Sequence, residues 1–264
     1  MNKSMLSKSF FMFFLFLVLS LCAVTVNAAE NSGFRGEVAL GTFLYDSSGS
    51  HSFQNGQDAA TSIDIENGMN ISDETSFQGR VKLEGAGGLP GVYLHASYIE
   101  SEGENRMNAV YGDMEFSDDE NTSTKLNFTN YDLTLFYSLK GVSTATLGRV
   151  KVDFGATLRY FEAQGSLSQI NKGSVTASFD DYAFAFYADI LARPVENLEF
   201  ALEWKGLSFT DDEFSNITAR VTYQFMDPFF AGGGYIIENN KIDRDGFKLD
   251  MDNEGVFIEA GIRF

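Results

Sequence analysis

The last ten residues of the chain, Gly255 to Phe264, restrict its fold more than any other stretch. Val256, Ile258, Ala260, Ile262 and Phe264 form an unbroken apolar row at period two, interleaved with Phe257, Glu259, Gly261 and Arg263. Successive side chains of a strand point to opposite faces, so this is a strand with one apolar face and one mixed face. A strand that meets lipid on one side and a polar lumen on the other has this pattern.

The pattern recurs along the chain. Comparable rows occupy Phe34 to Tyr45, Ser76 to Gly85, Val92 to Ser101, Leu126 to Leu139, Val150 to Phe161, Phe179 to Arg193, Leu198 to Phe209, Ser215 to Phe225 and Phe229 to Glu238. With the terminal strand they make ten. The polar intervals 46–73, 102–124, 162–178 and 239–253 read as long loops, with a short strand at Ser62 to Asn67 and a hairpin arm at Ala109 to Phe116. Pro90, Pro194 and Pro228 all fall in the alternate, short connections, where a proline removes no ladder bond. The expected fold is all-β: a transmembrane antiparallel up-and-down β-barrel of ten strands, with eight or twelve as alternatives, and both ends on the periplasmic side. A soluble β-sandwich also alternates, but it does not set an aromatic-rich apolar row against charges on nearly every strand.

The beginning of the chain agrees. Lys3 and Lys8 precede the apolar run Phe10 to Leu21, and Val26-Asn27-Ala28 places small residues at a cleavage site. Residues 1–28 read as a cleaved signal peptide and 29–264 as the barrel, in the outer membrane of a Gram-negative bacterium. The apolar run is short for an uncleaved membrane anchor. Cys22 follows Leu21 rather than the small residue a lipoprotein needs, and no cysteine follows it, so the mature chain can form neither a disulfide nor a thiolate metal site.

Charge separates lumen from loops. Removing Lys3 and Lys8 from 19 basic residues leaves 17 against 37 acidic ones, a formal charge of −20. Phosphates would repel such a chain, so nucleic acid is not expected as a partner. The strand phases aim Arg35, Arg80, Lys82, Lys151, Arg159, Arg193, Lys205, Arg220 and Arg263 into the lumen. They aim Glu37, Glu84, Asp132, Asp153, Asp181, Asp189, Glu199, Glu203, Glu238 and Glu259 there too. Nine against ten is nearly neutral, which implies cross-lumen ion pairs and a narrow or plugged barrel rather than a general porin. The rest of the acid lies on the loops, in Asp118-Asp119-Glu120, Asp211-Asp212-Glu213 and the set Asp243, Asp245, Asp250 and Asp252. These suit a solvated face, or Ca²⁺ or Mg²⁺ bridging to anionic lipopolysaccharide, but none has EF-hand spacing. No other cofactor is expected.

The expected role is that of a non-enzymatic barrel, structural, adhesive or a limited conduit, lying as a monomer among outer-membrane lipid and lipopolysaccharide. The alternative is a barrel-borne lipid or peptide hydrolase. For that reading His95, beside Ser97 on an inward face, is the one histidine near lumen carboxylates; His51, between Ser50 and Ser52, is expected to be exposed. No phosphate-binding glycine loop or His-Glu-x-x-His motif is present.

Two stretches, Ser62-Ile63-Asp64-Ile65-Glu66-Asn67-Gly68-Met69-Asn70-Ile71 and Gly88-Leu89-Pro90-Gly91-Val92-Tyr93-Leu94, together with Phe264, resemble a family of small, uncharacterised Gram-negative outer-membrane proteins. The resemblance covers most of the mature chain. It implies the barrel fold and the location, and assigns no catalytic residue. The terminal strand is also similar to the signal read by the barrel-assembly machinery, which implies that machinery as a partner and Phe264 as the barrel-closing residue.

Overall fold

The computed structural model describes residues 35–55, 59–71, 74–85, 88–208, 213–244 and 246–264. The signal segment, with Lys3, Lys8 and Cys22, lies outside them, as do Phe34, Asp211, Asp212 and Asp245.

Ten long strands alternate up and down: β1 (Gly36–Phe53), β3 (Glu74–Leu83), β4 (Gly91–Asn105), β7 (Thr122–Ser138), β8 (Val150–Gln169), β9 (Gly173–Val195), β10 (Leu198–Ser208), β11 (Glu213–Met226), β12 (Phe229–Arg244) and β13 (Phe247–Arg263). Three short strands lie between them: β2 (Ile63–Asp64), β5 (Ala109–Tyr111) and β6 (Met114–Phe116). Each long strand pairs antiparallel with its neighbour, and β13 pairs with β1 from Glu37↔Arg263 to Phe53↔Phe247. The sheet is therefore closed, which removes the edges that lipid would leave unsatisfied. The expected ten-strand barrel is the observed fold.

All the long strands but β3 and β10 are longer than the sequence rows, and β13 explains why. Its outward row runs Lys248, Asp250, Asp252 and Glu254, then Val256, Ile258, Ala260 and Ile262. The inward row runs Phe247, Leu249 and Met251, then Asn253, and ends in Glu259 and Arg263. Both faces exchange character along one uninterrupted strand. Strand β8 does the same: Val152 to Tyr160 face out and apolar, Glu162 to Ser168 face out and polar, while Arg159 gives way inside to Phe161, Ala163 and Leu167. The lower part has the polarity of a membrane barrel and the upper part that of a soluble one. The exchange falls at a ring of outward aromatics, Tyr98, Tyr131, Tyr160, Tyr182, Trp204 and Tyr235. There the Tyr131 and Tyr160 rings lie 6.3 Å apart and Tyr160 and Tyr182 5.0 Å apart. Amphipathic rings of this kind sit where a bilayer meets water. Below them large apolar side chains face outward, with Phe184 and Ile258 both 68% exposed, an arrangement that requires lipid.

Several expected loops are thus corrected to strand. Residues 162–178 and 239–253 fall in the tall hairpins β8–β9 and β12–β13, and Asp243, Asp250 and Asp252 of the second lie on its outward row. The two longest intervals fold into the upper barrel. Ile63, Ile65, Met69 and Ile71 from the first, and Met107, Ala109, Tyr111 and Phe116 from the second, are buried against Phe128, Phe161, Leu167, Phe247, Leu249 and Met251 of the wall. The expected arm at Ala109 to Phe116 is the hairpin β5–β6 within this plug. The expected turn at Gly141 to Gly148 carries a short helix, α1 (Lys140–Ala145).

Candidate functional site: a lumen closed in two bands

Inward polar rows and the narrow bore bring the lumen charges together. At the lower mouth a cavity of about 450 Å³ is lined by Arg35, Glu37, Glu84, Lys151, Arg193 and Arg263 among others. Arg35 is exposed there and makes no ion pair among the described residues. Glu37 pairs with Arg80 and, at 3.1 Å, with Arg263. Glu84 holds Lys151 at 2.9 Å, and Arg193 holds Glu199 at 2.7 Å. Arg263 reaches Glu199 at 3.0 Å. Next to Arg263, the Phe264 backbone N–H donates to the Gly36 carbonyl at 2.9 Å and the Phe264 carbonyl accepts from the Gly36 N–H at 2.7 Å, completing the closure between first and last strands.

Above the mouth the charges form a continuous band. Arg80 and Arg220 share Glu259 at 2.8 and 3.3 Å. Lys82 lies 2.6 Å from Asp189 and 3.0 Å from Asp153, which Lys151 also approaches at 3.3 Å. Lys205 lies 3.1 Å from both Glu203 and Asp132. Arg159 donates through Nε and Nη2 to the two Asp132 oxygens at 2.7 and 3.0 Å, and through Nη1 to Glu238 at 2.7 Å. Aromatic faces fill the gaps: the Arg159 guanidinium stands 3.5 Å over Phe214, and Lys205 Nζ 4.6 Å over Tyr93. Gly91 makes room for Phe136, whose ring would lie 2.3 Å from a Cβ there. Of the residues aimed at the lumen by phase, Asp181 is the one set apart. It stands at the level of the aromatic ring, beside Tyr182, and pairs with Arg244 of β12 at 2.6 Å.

The second band is the apolar plug above, and a histidine is sealed within it. His51, expected to be exposed, is 1% exposed. Its Nδ1 lies 2.8 Å from the Lys248 carbonyl oxygen, which can only accept, so Nδ1 carries the proton. Nε2 therefore accepts from the Tyr111 hydroxyl at 2.7 Å. Burial pushes the His51 imidazole down from about 6.5 to about 4. Gly165 faces this pair: a Cβ on it would meet His51 Nε2 at 2.3 Å and the Tyr111 hydroxyl at 2.7 Å. The polar flanks of His51 in the sequence concealed this role, because its neighbours on the inward row are Tyr45, Ser47 and Phe53 rather than Ser50 and Ser52.

His95 stands beside a carboxylate but is not joined to Ser97. Its Nε2 lies 3.5 Å from Gln78 Oε1 and its Nδ1 3.7 Å from Asp132. The Ser97 hydroxyl accepts from Asn130 at 3.4 Å, and no hydrogen bond joins it to His95 among the described residues. Of the expected acidic clusters, Asp118 and Asp119 are exposed on the cap, and Asp243 pairs with Lys248 at 2.8 Å. Among the described residues no group of three or more His, Cys, Asp or Glu side chains is placed to hold a metal ion.

Residues 14–225 match the family described as outer membrane protein beta-barrel domain. No curated protein matches the chain. Among solved structures, the outer membrane protease OmpT from Escherichia coli is similar with a TM-score of 0.53 at 9% identity, over 88% of this chain and 96% of that one. The translocator domain of the autotransporter NalP from Neisseria meningitidis gives 0.45 at 10% identity over the whole of both chains. Ail, the attachment invasion locus protein of Yersinia pestis, gives 0.39 at 10% identity over 88% and 99%. At these identities the likeness is one of fold.

Proposed function

Since the chain belongs to the outer membrane protein beta-barrel domain family, we propose that it is a non-conducting barrel that carries a folded β-cap on the cell surface for structural or adhesive contacts. The observation that supports this reading is the double closure of the lumen. A pore needs a continuous wet path, and the band of paired charges is followed by an apolar plug in which Ile65, Ile71, Tyr111, Ala163 and Leu167 are at most 0% exposed. The cap is built as a soluble domain would be, with an apolar interior and an acidic outward face, so its natural contacts lie outside the cell. Cleavage after Ala28 and insertion by the barrel-assembly machinery complete the proposal. Planar-bilayer recording of the purified protein tests it. We expect no stable channel from the unmodified chain, and none once residues 106–121 are excised, because the band of paired charges still closes the lumen below. A large, steady single-channel conductance from the unmodified protein would replace this reading with a conduit.

A further inference from the structure

The lower end of the barrel carries charge of the opposite sign to the cap. The chain holds 37 acidic residues, yet the stretch from Leu139 to Lys151, which turns β7 into β8, contains three cations and no acid. Lys151 is engaged, with Glu84 at 2.9 Å and Asp153 at 3.3 Å. Lys140 and Arg149 are exposed, and the side chain of neither makes an ion pair or a hydrogen bond among the described residues.

Two leucines stand beside these cations. Leu139 continues the outward row of β7, after Leu133, Leu135 and Tyr137, and all four are exposed. Leu147 is 91% exposed and has a φ of 53°. Of the described residues only Asn70 and Leu147 are non-glycines at positive φ. Asparagine tolerates the left-handed region, whereas a leucine there is strained. Such strain persists only where the surroundings over-determine it.

The surroundings of Leu147 do so. Its N–H donates to the Thr144 carbonyl at 3.3 Å, and the Gly148 N–H donates to the Ser143 carbonyl at 2.7 Å. The Thr146 hydroxyl donates to the Val142 carbonyl at 2.8 Å and accepts from the Val150 N–H at 3.1 Å. Helix α1 and the start of β8 are thereby locked together around a leucine side chain turned out of the protein. So exposed a side chain gains almost nothing from the protein's own interior. Its gain must come from outside.

We infer that this turn is a binding site for an anionic phospholipid of the periplasmic leaflet. Leu139 and Leu147 lie against an acyl chain, and Lys140 and Arg149 hold the headgroup phosphate. Position, continuity and charge select this occupant. Leu139 stands one step beyond Tyr137, an outward aromatic residue of the kind that marks a bilayer surface, so the cations lie at the depth of lipid phosphates. The apolar side of the site is continuous with the lipid-facing row of β7, which an acidic protein segment would have no reason to match. Two free cations favour a headgroup with net negative charge over one that brings its own ammonium group. The site lies at the end of the barrel opposite the cap, so it stands or falls apart from the reading of the cap as a contact surface.

The test is native mass spectrometry of the full chain in detergent micelles, titrated with dioleoylphosphatidylglycerol or dioleoylphosphatidylcholine. One phosphatidylglycerol should bind at least about tenfold more tightly than phosphatidylcholine. The preference should vanish in the double variant Lys140→Gln, Arg149→Gln. Leu147→Gly separates binding from structure. Glycine is relaxed at this φ, so the variant should keep its heat-modifiable mobility, yet its affinity for both lipids should fall at least about fivefold. Retained mobility of the double variant controls for its folding. Equal affinity for the two lipids, or undiminished phosphatidylglycerol binding by the double variant, would overturn the proposal. Undiminished binding by Leu147→Gly would overturn the acyl contact and with it the lipid. Displacement of phosphatidylglycerol by an equal concentration of glycerol phosphate would show an adventitious ion only. Displacement by an equal concentration of a hexaglutamate peptide would replace the lipid with an acidic protein segment.

Discussion

Replacing Arg159 by methionine keeps the apolar stem and removes the guanidinium, which is 2% exposed. Asp132 loses two hydrogen bonds but retains Lys205 at 3.1 Å and His95 at 3.7 Å. Glu238 loses its ion pair with Arg159 and keeps the Asn130 amide at 3.1 Å. Removing one member of a buried pair costs roughly 3–5 kcal/mol, because the other charge stays desolvated. Two carboxylates are affected here, but one keeps a cation, which puts the expected loss near the lower bound, at about 3 kcal/mol. Converting Glu238 to Gln in the same chain removes the stranded charge and should restore at least about 1 kcal/mol of that loss. The measurement is equilibrium unfolding in urea from lipid vesicles, followed by the fluorescence of Trp204, the one tryptophan, and by the mobility shift of unheated samples. A loss below about 0.5 kcal/mol, the level of an ordinary surface change, would refute the ion-paired lumen. So would a double variant whose cost is the sum of its singles.

Other consequences follow from the same geometry. Leu158→Arg places a charge on the lipid face and should cost about 2–4 kcal/mol, whereas Ser166→Arg, on the same outward row above the aromatic ring, should cost close to nothing; equal costs in the same urea titration would contradict the exchange of polarity. His51 titrates near 4 in the folded cap and near 6.5 when exposed. Only the unfolded cap therefore gains a proton as pH falls from about 6.5 to about 4, and cap stability should drop by up to about 3 kcal/mol across that window and stay level above it. Limited proteolysis against pH reads this, and a His51→Gln chain with the same pH profile would dismiss it. Gly165→Ala should loosen the cap by about 1–3 kcal/mol, since its methyl group collides with His51 and Tyr111, with little change in the membrane-embedded ladder by hydrogen exchange. Deleting Phe264 removes both closing bonds to Gly36 and should lower the yield of heat-modifiable barrel in outer-membrane fractions; undiminished yield would remove its role in closure.

The barrel was legible because a lipid-facing strand must repeat an apolar residue at every second position, and Val152 to Tyr160 or Val256 to Phe264 have no other explanation. The lumen charges were legible for the same reason, since phase alone assigns the inward row. What phase could not give was height. Asp181 shares the inward row with Asp189 and differs only in standing higher, at the level of the aromatic ring, where its partner is Arg244. The cap escaped for a related reason. Phe247, Leu249 and Met251 alternate as cleanly as the terminal strand, but in the opposite phase, and acidic residues occupy the outward positions. Read as one lipid-facing pattern, the change of phase looks like the end of a strand. Read with water above the bilayer, it is the same strand leaving the membrane. The available signal was the absence of a turn between Asp252 and Val256.

The unequal lengths of the strands follow from the same change of solvent. A strand that rises into water must bury its inward row against something, so it can be tall only where the cap supplies apolar partners. Between aromatic or apolar markers of the membrane edge, the chain spends 22 positions from Tyr160 to Tyr182 and 21 from Tyr235 to Val256, but only 13 from Trp204 to Ile217. Among the described side chains of the short interval, Phe214 alone is both inward and apolar, so they offer no second alternating row to bury. The described strands of the hairpin β10–β11, which end at Ser208 and begin at Glu213, are accordingly shorter than their neighbours, which lean together through Phe179 and Phe247.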